Sequence, residues 1–179
     1  MASILKFDEW QSTAGVKRQT VLQVVSAFDN AHYVFNGGSA NQTTFFNISG
    51  LSVSITPSST SSRIVLIASV GVSQYGDGYN VFLRFARGST GIGTSQSNGI
   101  YANGGSAMAG LRTFNNYDQS NLAMCYVDSP ATTSATTYNV QCCNSGGSGY
   151  PSYVNRLSAT DTGWVQAMSS NLIAMEIAG

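Results

Sequence analysis

LSVSITPSSTSSRIVLIASVGV, residues 51–72, decides how this chain folds. Leu51, Val53 and Ile55 alternate with Ser52, Ser54 and Thr56, so the run has one apolar and one polar side. Pro57 ends it, because proline has no N–H to offer a neighbouring strand. After a cluster of serines and threonines, Arg63 to Val72 is apolar at both parities, which predicts a central strand covered on both faces. The same pattern continues in FLRFARGSTGIG (82–93) and AMCYVDSPATTSATTYNVQC (123–142). Short apolar runs cut by Ser, Thr, Gly and Pro encode antiparallel strands joined by polar turns.

Working outward, the alternation predicts strands at Gln19–Ser26, at Tyr33–Phe35 before a Gly37-Gly38 turn, at Thr44–Ile48 and at Leu51–Ile55. Tyr75-Gly-Asp-Gly-Tyr79 reads as a turn. Asn80–Arg87 follows as a strand with Val81, Leu83 and Phe85 on one face and Phe82 and Arg84 on the other. Gly88–Gly99 reads as a loop. Later strands are predicted at Ala107–Thr113, Leu122–Asp128, Thr136–Cys143, Tyr153–Arg156, Trp164–Met168 and Asn171–Ile177. About eight to ten strands without a helix predict an all-β, two-sheet antiparallel jelly-roll sandwich. The first residues differ. MASILKFDEWQSTAGVK groups charges with Phe7 and Trp10, and Gly15 would stop any short helix. Residues 1–17 therefore read as an attachment segment with Phe7 and Trp10 as candidate anchors, against the alternative of a disordered terminus. Residues 18–179 form the jelly-roll domain.

The segments SVSITPSSTSS (52–62), FARGST (85–90) and DSPATTSATTYNV (128–140) resemble a repeated cassette of virion fibre and spike proteins. That cassette belongs especially to phages of marine and freshwater bacteria, cyanophages among them. The resemblance covers roughly Arg18 to Gly179. It implies a small jelly-roll knob similar to C1q and tumour-necrosis-factor domains, assembled as a homotrimer with the last strand beside the threefold axis. In SNLIAMEIAG the alternation puts Leu172 and Ala174 on one side and Ile173, Met175 and Ile177 on the other. Leu172 and Ala174 are the candidate trimer-facing pair, although alternation alone leaves open which side fills the sandwich.

Composition narrows the function. Of 179 residues 42% are hydrophobic, enough for a core, but only 9% are charged, far below the usual quarter. Serine, threonine, asparagine, glutamine and 19 glycines fill the deficit. Net charge is zero and the only adjacent basic pair is Lys17-Arg18, which argues against nucleic acid, whose phosphates need a clustered basic surface. A neutral surface is poorly soluble as a free monomer and suits burial in an assembly. The longest apolar run, IVLIASVGV, is strand-length against the ~20 residues of a membrane helix, so no membrane insertion is expected. MASILKFDEW lacks a signal-peptide core, so synthesis in a host cytoplasm and location in the virion are expected.

Catalytic chemistry finds no constellation. His32 is the single histidine and there is no GxSxG elbow. Asp77, Asp118, Asp128 and Asp161 fall at predicted turns and strand ends, where aspartate shapes turns. The glycine-rich stretches 88–93 and 146–153 open no helix that could hold a phosphate. Cys125, Cys142 and Cys143 lack metal spacing and, being odd in number, read as reduced thiols, with Cys142 and Cys143 on opposite faces of one strand. No enzyme activity, metal or cofactor is expected. Tyr75, Asp77, Tyr79, Tyr101, Tyr117, Tyr150 and Tyr153 sit in Gly/Ser/Asn-rich connections, the composition of recognition loops, or else they cap the sandwich. The resulting expectation is a virion structural protein, a trimeric spike or fibre knob on a phage particle that contacts the host surface through a saccharide or protein. The alternative is a capsid cement or decoration protein that stabilises the particle without a receptor. A secreted lectin-like module is disfavoured by the missing signal peptide.

Overall fold

A computed structural model describes residues 20–35, 44–94, 107–115, 118–146, 149–157 and 167–179. Among the described residues the chain forms strands and no helix: β1 (Val21–Asp29), β2 (Tyr33–Phe35), β3 (Phe46–Ile55), β4 (Arg63–Gln74), β5 (Asn80–Arg87), β6 (Thr90–Ile92), β7 (Ala109–Arg112), β8 (Gln119–Asp128), β9 (Thr136–Asn144), β10 (Ser152–Val154) and β11 (Ser170–Ile177). The antiparallel pairs are nested. β1 meets β11, β3 meets β9, β4 meets β8 and β5 meets β7, so the chain is one long hairpin rolled into two sheets, a jelly roll. The first sheet runs β1-β11-β4-β8, with β10 and β2 extending it beside the far end of β4. The second runs β3-β9-β5, whose free edge is shared by β6 and β7.

Period-two alternation fills the space between the sheets. Ile64, Leu66, Ala68, Val70 and Val72 of β4 face Leu51, Val53 and Ile55 of β3 and Val81, Leu83 and Phe85 of β5 in one buried cluster. Leu172 and Ala174 belong to that cluster and are fully buried within the single chain. Their assignment as trimer-facing is therefore corrected: Ile173, Met175 and Ile177 are the outward side of β11, because each inward-facing neighbour of β4 and β1 already packs on the core parity.

Other boundaries also move. The two runs 44–48 and 51–55 are one strand, β3, with a register shift between Asn47 and Ser52. Gly50 makes it possible, since a Cβ there would stand 2.4 Å from the Asp29 carboxyl carbon. β1 runs on to Asp29, the Gly88–Gly99 loop contains β6, and the strand read at Tyr153–Arg156 starts at Ser152 and ends at Val154, before Asn155 turns left-handed at φ 62. β4 is covered on both faces only from Val70 onward; Ile67 is 38% exposed. Of the run Trp164–Met168, Ala167 and Met168 are not in a strand, and the rest lies outside the described residues, as does the Gly37-Gly38 turn.

Two carboxylates tie the layers. Asp128 does not shape a turn, as aspartate at that position suggested. It ends β8 buried, accepting the Tyr138 hydroxyl of β9 at 2.7 Å and Arg87 Nη1 of β5 at 3.1 Å. Glu176 of β11 is fully buried and accepts Ser58 N at 2.7 Å, Ser58 Oγ at 2.6 Å, Ser62 Oγ at 2.7 Å and Gln23 Nε2 at 2.6 Å. Burial alone would raise this carboxyl, but the hydrogen bonds from Ser58, Ser62 and Gln23 overcome it and hold it at about 2.

The core parity predicts that Leu172→Ala costs about 2–5 kcal/mol in urea unfolding while Ile173→Ala, an outward position, costs under about 1 kcal/mol in the isolated subunit. A reversed order would contradict the sheet assignment. Glu176 predicts acid sensitivity. Its native value lies below the unfolded value of ~4.3, so its contribution is complete above that value and is lost as pH falls toward 2. Glu176→Gln should flatten that part of the pH–stability curve.

Candidate functional site

At one end of the sandwich the β4–β5 turn meets the connection between β9 and β10. The turn needs glycine: Gly76 and Gly78 have φ of +91° and +81°, and a Cβ on Gly76 would stand 2.6 Å from the Tyr150 ring. Tyr79 and Tyr150 stack at 4.1 Å, and Tyr75 lies 6.4 Å from Tyr150. Buried amides fix the second connection from below. Gln74 Nε2 donates to the Tyr150 carbonyl at 2.7 Å, the Ser152 hydroxyl donates to Gln74 Oε1, and Asn144 Nδ2 donates to the Phe35 carbonyl at 3.1 Å. A hydrogen bond with Tyr150, then burial, pushes the Tyr79 phenol up.

Thus Tyr75, Tyr79 and Tyr150 are brought together as a partly exposed aromatic rim, with Asp77 at the tip of the glycine turn. Tyr153 is buried, paired between β4 and β2 and lying 5.2 Å below the Arg156 guanidinium, so it wedges the sheet and is no loop residue. Tyr101, Tyr117, Phe7 and Trp10 lie outside the described residues.

The structure also exposes a surface that loop composition did not point to. On the outer face of the first sheet the register aligns Val24, Met175, Val65 and Val127 in one row across β1, β11, β4 and β8. The next row is Ser26, Ile173, Ile67 and Cys125. At one corner Arg63, Val65, Val127 and Ile177 line a shallow groove of about 370 Å³. The signal was present in sequence as the second apolar parity of β4, which reads as burial on both faces of a central strand, and of β11, where one side is assigned to the sandwich and the other to a neighbouring subunit.

The outer face of the second sheet is different. Arg84, Gln141 and Asn47 form a row across β5, β9 and β3, linked by Arg84 Nε to Gln141 Oε1 at 2.8 Å and Gln141 Nε2 to Asn47 Oδ1 at 2.9 Å. The Arg84 guanidinium lies 3.9 Å above the Phe45 ring. Among the described residues no group of three or more His, Cys, Asp or Glu could hold a metal, and His32 is exposed between β1 and β2. None of the three cysteines is in a disulfide; burial raises the Cys142 thiol and pushes Cys143 to about 11, while Cys125 is exposed.

No protein-family model matches the sequence, and no curated protein matches it. Among solved structures the chain is similar to that of infectious bursal disease virus Gt strain, with a TM-score of 0.47 and 11% identity over 100% of this chain and 43% of that one. It is similar also to the T13 particle of that virus (0.43, 9%, 99% and 41%) and to its VP2 subviral particle (0.40, 10%, 100% and 38%). The chain spans less than half the length of these proteins. Such likeness is too distant to carry function, which is argued below from this chain's own residues.

The rim predicts a spectroscopic signature. Tyr150→Ala should remove most of the near-ultraviolet circular dichroism of the stacked tyrosines while leaving the far-ultraviolet spectrum of the sheets unchanged. Gly76→Ala should have a similar but smaller effect by displacing the Tyr150 ring. An unchanged near-ultraviolet spectrum in Tyr150→Ala would show that the rings are not held together.

Proposed function

We propose that this chain is a virion structural protein, a jelly-roll knob that forms a homotrimer on a phage particle. Residues 1–17 would dock it to another virion protein, and its tyrosine rim would meet the host surface. The observation that carries the reading is the pair of rows across four strands of the first sheet, apolar except for Ser26. Four strands about 4.8 Å apart and two side-chain rows about 7 Å apart give this face roughly 270 Å². At about 25 cal/mol per Å² its burial supplies roughly 7 kcal/mol gross, within the range of the entropy cost of association. Such a face fits the apolar centre of an interface, with the flanking strand edges as a polar rim. A second copy is the fitting occupant. The chain carries no net charge, and Arg63 is the one charged side chain among the outward residues that line the corner groove. Closed rotational symmetry would leave no copy of the patch in water.

The test is light scattering on the purified chain. Three times the subunit mass is expected at micromolar concentration, and Met175→Glu or Ile67→Glu should give a monomer with unchanged far-ultraviolet circular dichroism. A monomeric wild type would overturn the assembly. Immunogold labelling of purified particles tests the rest: label on tail spikes supports the knob, label spread over the capsid lattice indicates the cement role, and unlabelled particles refute both.

A further inference from the structure

We propose that Arg84, held between Phe45 and Gly91 on the outer face of the second sheet, anchors a binding site for a carboxylated saccharide. The guanidinium is fixed on three sides. Phe45 stacks on it at 3.9 Å, Gln141 takes its Nε–H at 2.8 Å, and the bare backbone of Gly91 lies so close that a Cβ there would come within 2.8 Å of Cζ. Gln141 is itself buried and held by Asn47 at 2.9 Å, so the orienting amide cannot swing away. A long flexible cation has been made rigid, which has an entropic cost that solvation of a charge does not require.

Among the described residues this rigid fork has no anion. Neither Nη nitrogen meets a carboxylate of those residues: Asp128 is bound to Arg87, Glu176 to serines and Gln23, Asp29 to Asn155 and the Ala31 N–H, Asp118 to the amides of Phe114 and Asn115, and Asp77 is exposed in the β4–β5 turn. Partial burial already pulls the Arg84 guanidinium below its ordinary value. A planar, pre-oriented fork of N–H donors matches a carboxylate in bidentate geometry better than any neutral group.

The surroundings select the carrier. In the row of Arg84 lie Gln141 and Asn47 and in the next row Asn139 and Ser52, while the other outward neighbours are Phe82, Ala86 and Cys143, of which Ala86 and Cys143 are buried. A protein partner's hot spot would be met by an apolar, desolvated centre, whereas the row that holds Arg84 is polar. A polyhydroxylated ligand with one acidic group pairs hydroxyls with amides and its carboxylate with Arg84. The proposal goes beyond the function above, adding a binding surface apart from both the tyrosine rim and the apolar face.

Titration of the intact protein with oligoglucuronate and oligogalacturonate, followed by calorimetry and amide chemical shifts, tests it. Their neutral counterparts and a polyglutamate peptide serve as comparisons. Uronides should bind and shift resonances of Arg84, Gln141 and Asn47. Arg84→Gln should weaken binding at least tenfold, and Arg84→Lys, which keeps the charge and the fold but loses the fork, about tenfold. Wild type that binds no uronide, or Arg84→Lys that binds as well as wild type, would overturn the site. Binding of polyglutamate through Arg84 without uronide binding would assign the fork to a protein carboxylate and overturn the saccharide. Light scattering on the same samples reports assembly separately, so an intact trimer that binds nothing sinks this inference alone.

Discussion

The backbone of β4 is hydrogen-bonded along both edges, and everything else is placed by that constraint. β8 takes one edge over ten residue pairs, from Ile64 opposite Asp128 to Ser73 opposite Gln119, while β11 and then β10 take the other. With its register fixed on both sides, a one-residue slip of β4 would turn Ile64, Leu66, Ala68, Val70 and Val72 out of the core together. The same register sets β11, through it β1, and so decides which residues of three further strands face water. Glycine at 71 belongs to this constraint, since a Cβ there would stand 2.6 Å from the Met168 side chain, where the chain enters β11.

Much of this was legible because it rests on alternation, a local property. Val81, Leu83 and Phe85 against Phe82 and Arg84, or Leu51, Val53 and Ile55 against their serines, needed no partner to be read. What was not legible depended on contacts between distant residues. Gly50 reads as a strand terminator until Asp29, twenty-one positions earlier (50 − 29), is seen against it. Asp128 reads as a turn residue until the rolled topology brings Arg87 and Tyr138 to it. The parity of β11 was the clearest ambiguity: both sides of Leu172–Ile177 are apolar, and only pairing with β4 shows that Ile173 and Met175 look outward. At the tyrosine rim, loop composition grouped Tyr75, Tyr79 and Tyr150, whose rings lie near one another, with Tyr153, whose position in β10 buries it.

Several of the buried polar groups follow a common rule. Asp128, Asn155 and Glu176 among them sit at or next to a strand end, where a backbone or carboxylate would otherwise lose its partners. Asn155, left-handed at the end of β10, donates to the Asp29 and Ala31 carbonyls and accepts the Ser170 hydroxyl, which in turn receives the Gly71 N–H. Glu176 gathers Ser58 and Ser62 from the connection after Pro57, so the polar cluster that ends β3 in sequence is also what fixes the last strand in space. Satisfied networks of this kind specify one arrangement, whereas a half-satisfied one would cost several kcal/mol.

These internal ties also take up some of the few charged side chains of the sequence. Asp128, Arg87 and Glu176 are taken up between strands, and the outward positions of the two sheets differ in chemistry. On the first sheet valine, isoleucine and methionine predominate in two rows interrupted by Ser26; on the second, asparagine, glutamine, serine and threonine predominate on β3 and β9. Sandwich stability does not require that asymmetry, because either face could carry the interspersed lysine and glutamate of an ordinary solvated sheet. An apolar face is stable in water only when covered, and a neutral amide face resists non-specific covering, so together they direct association to one side of the molecule. The outward guanidinium fixed in place on the amide side is then the departure that chemistry, not folding, explains.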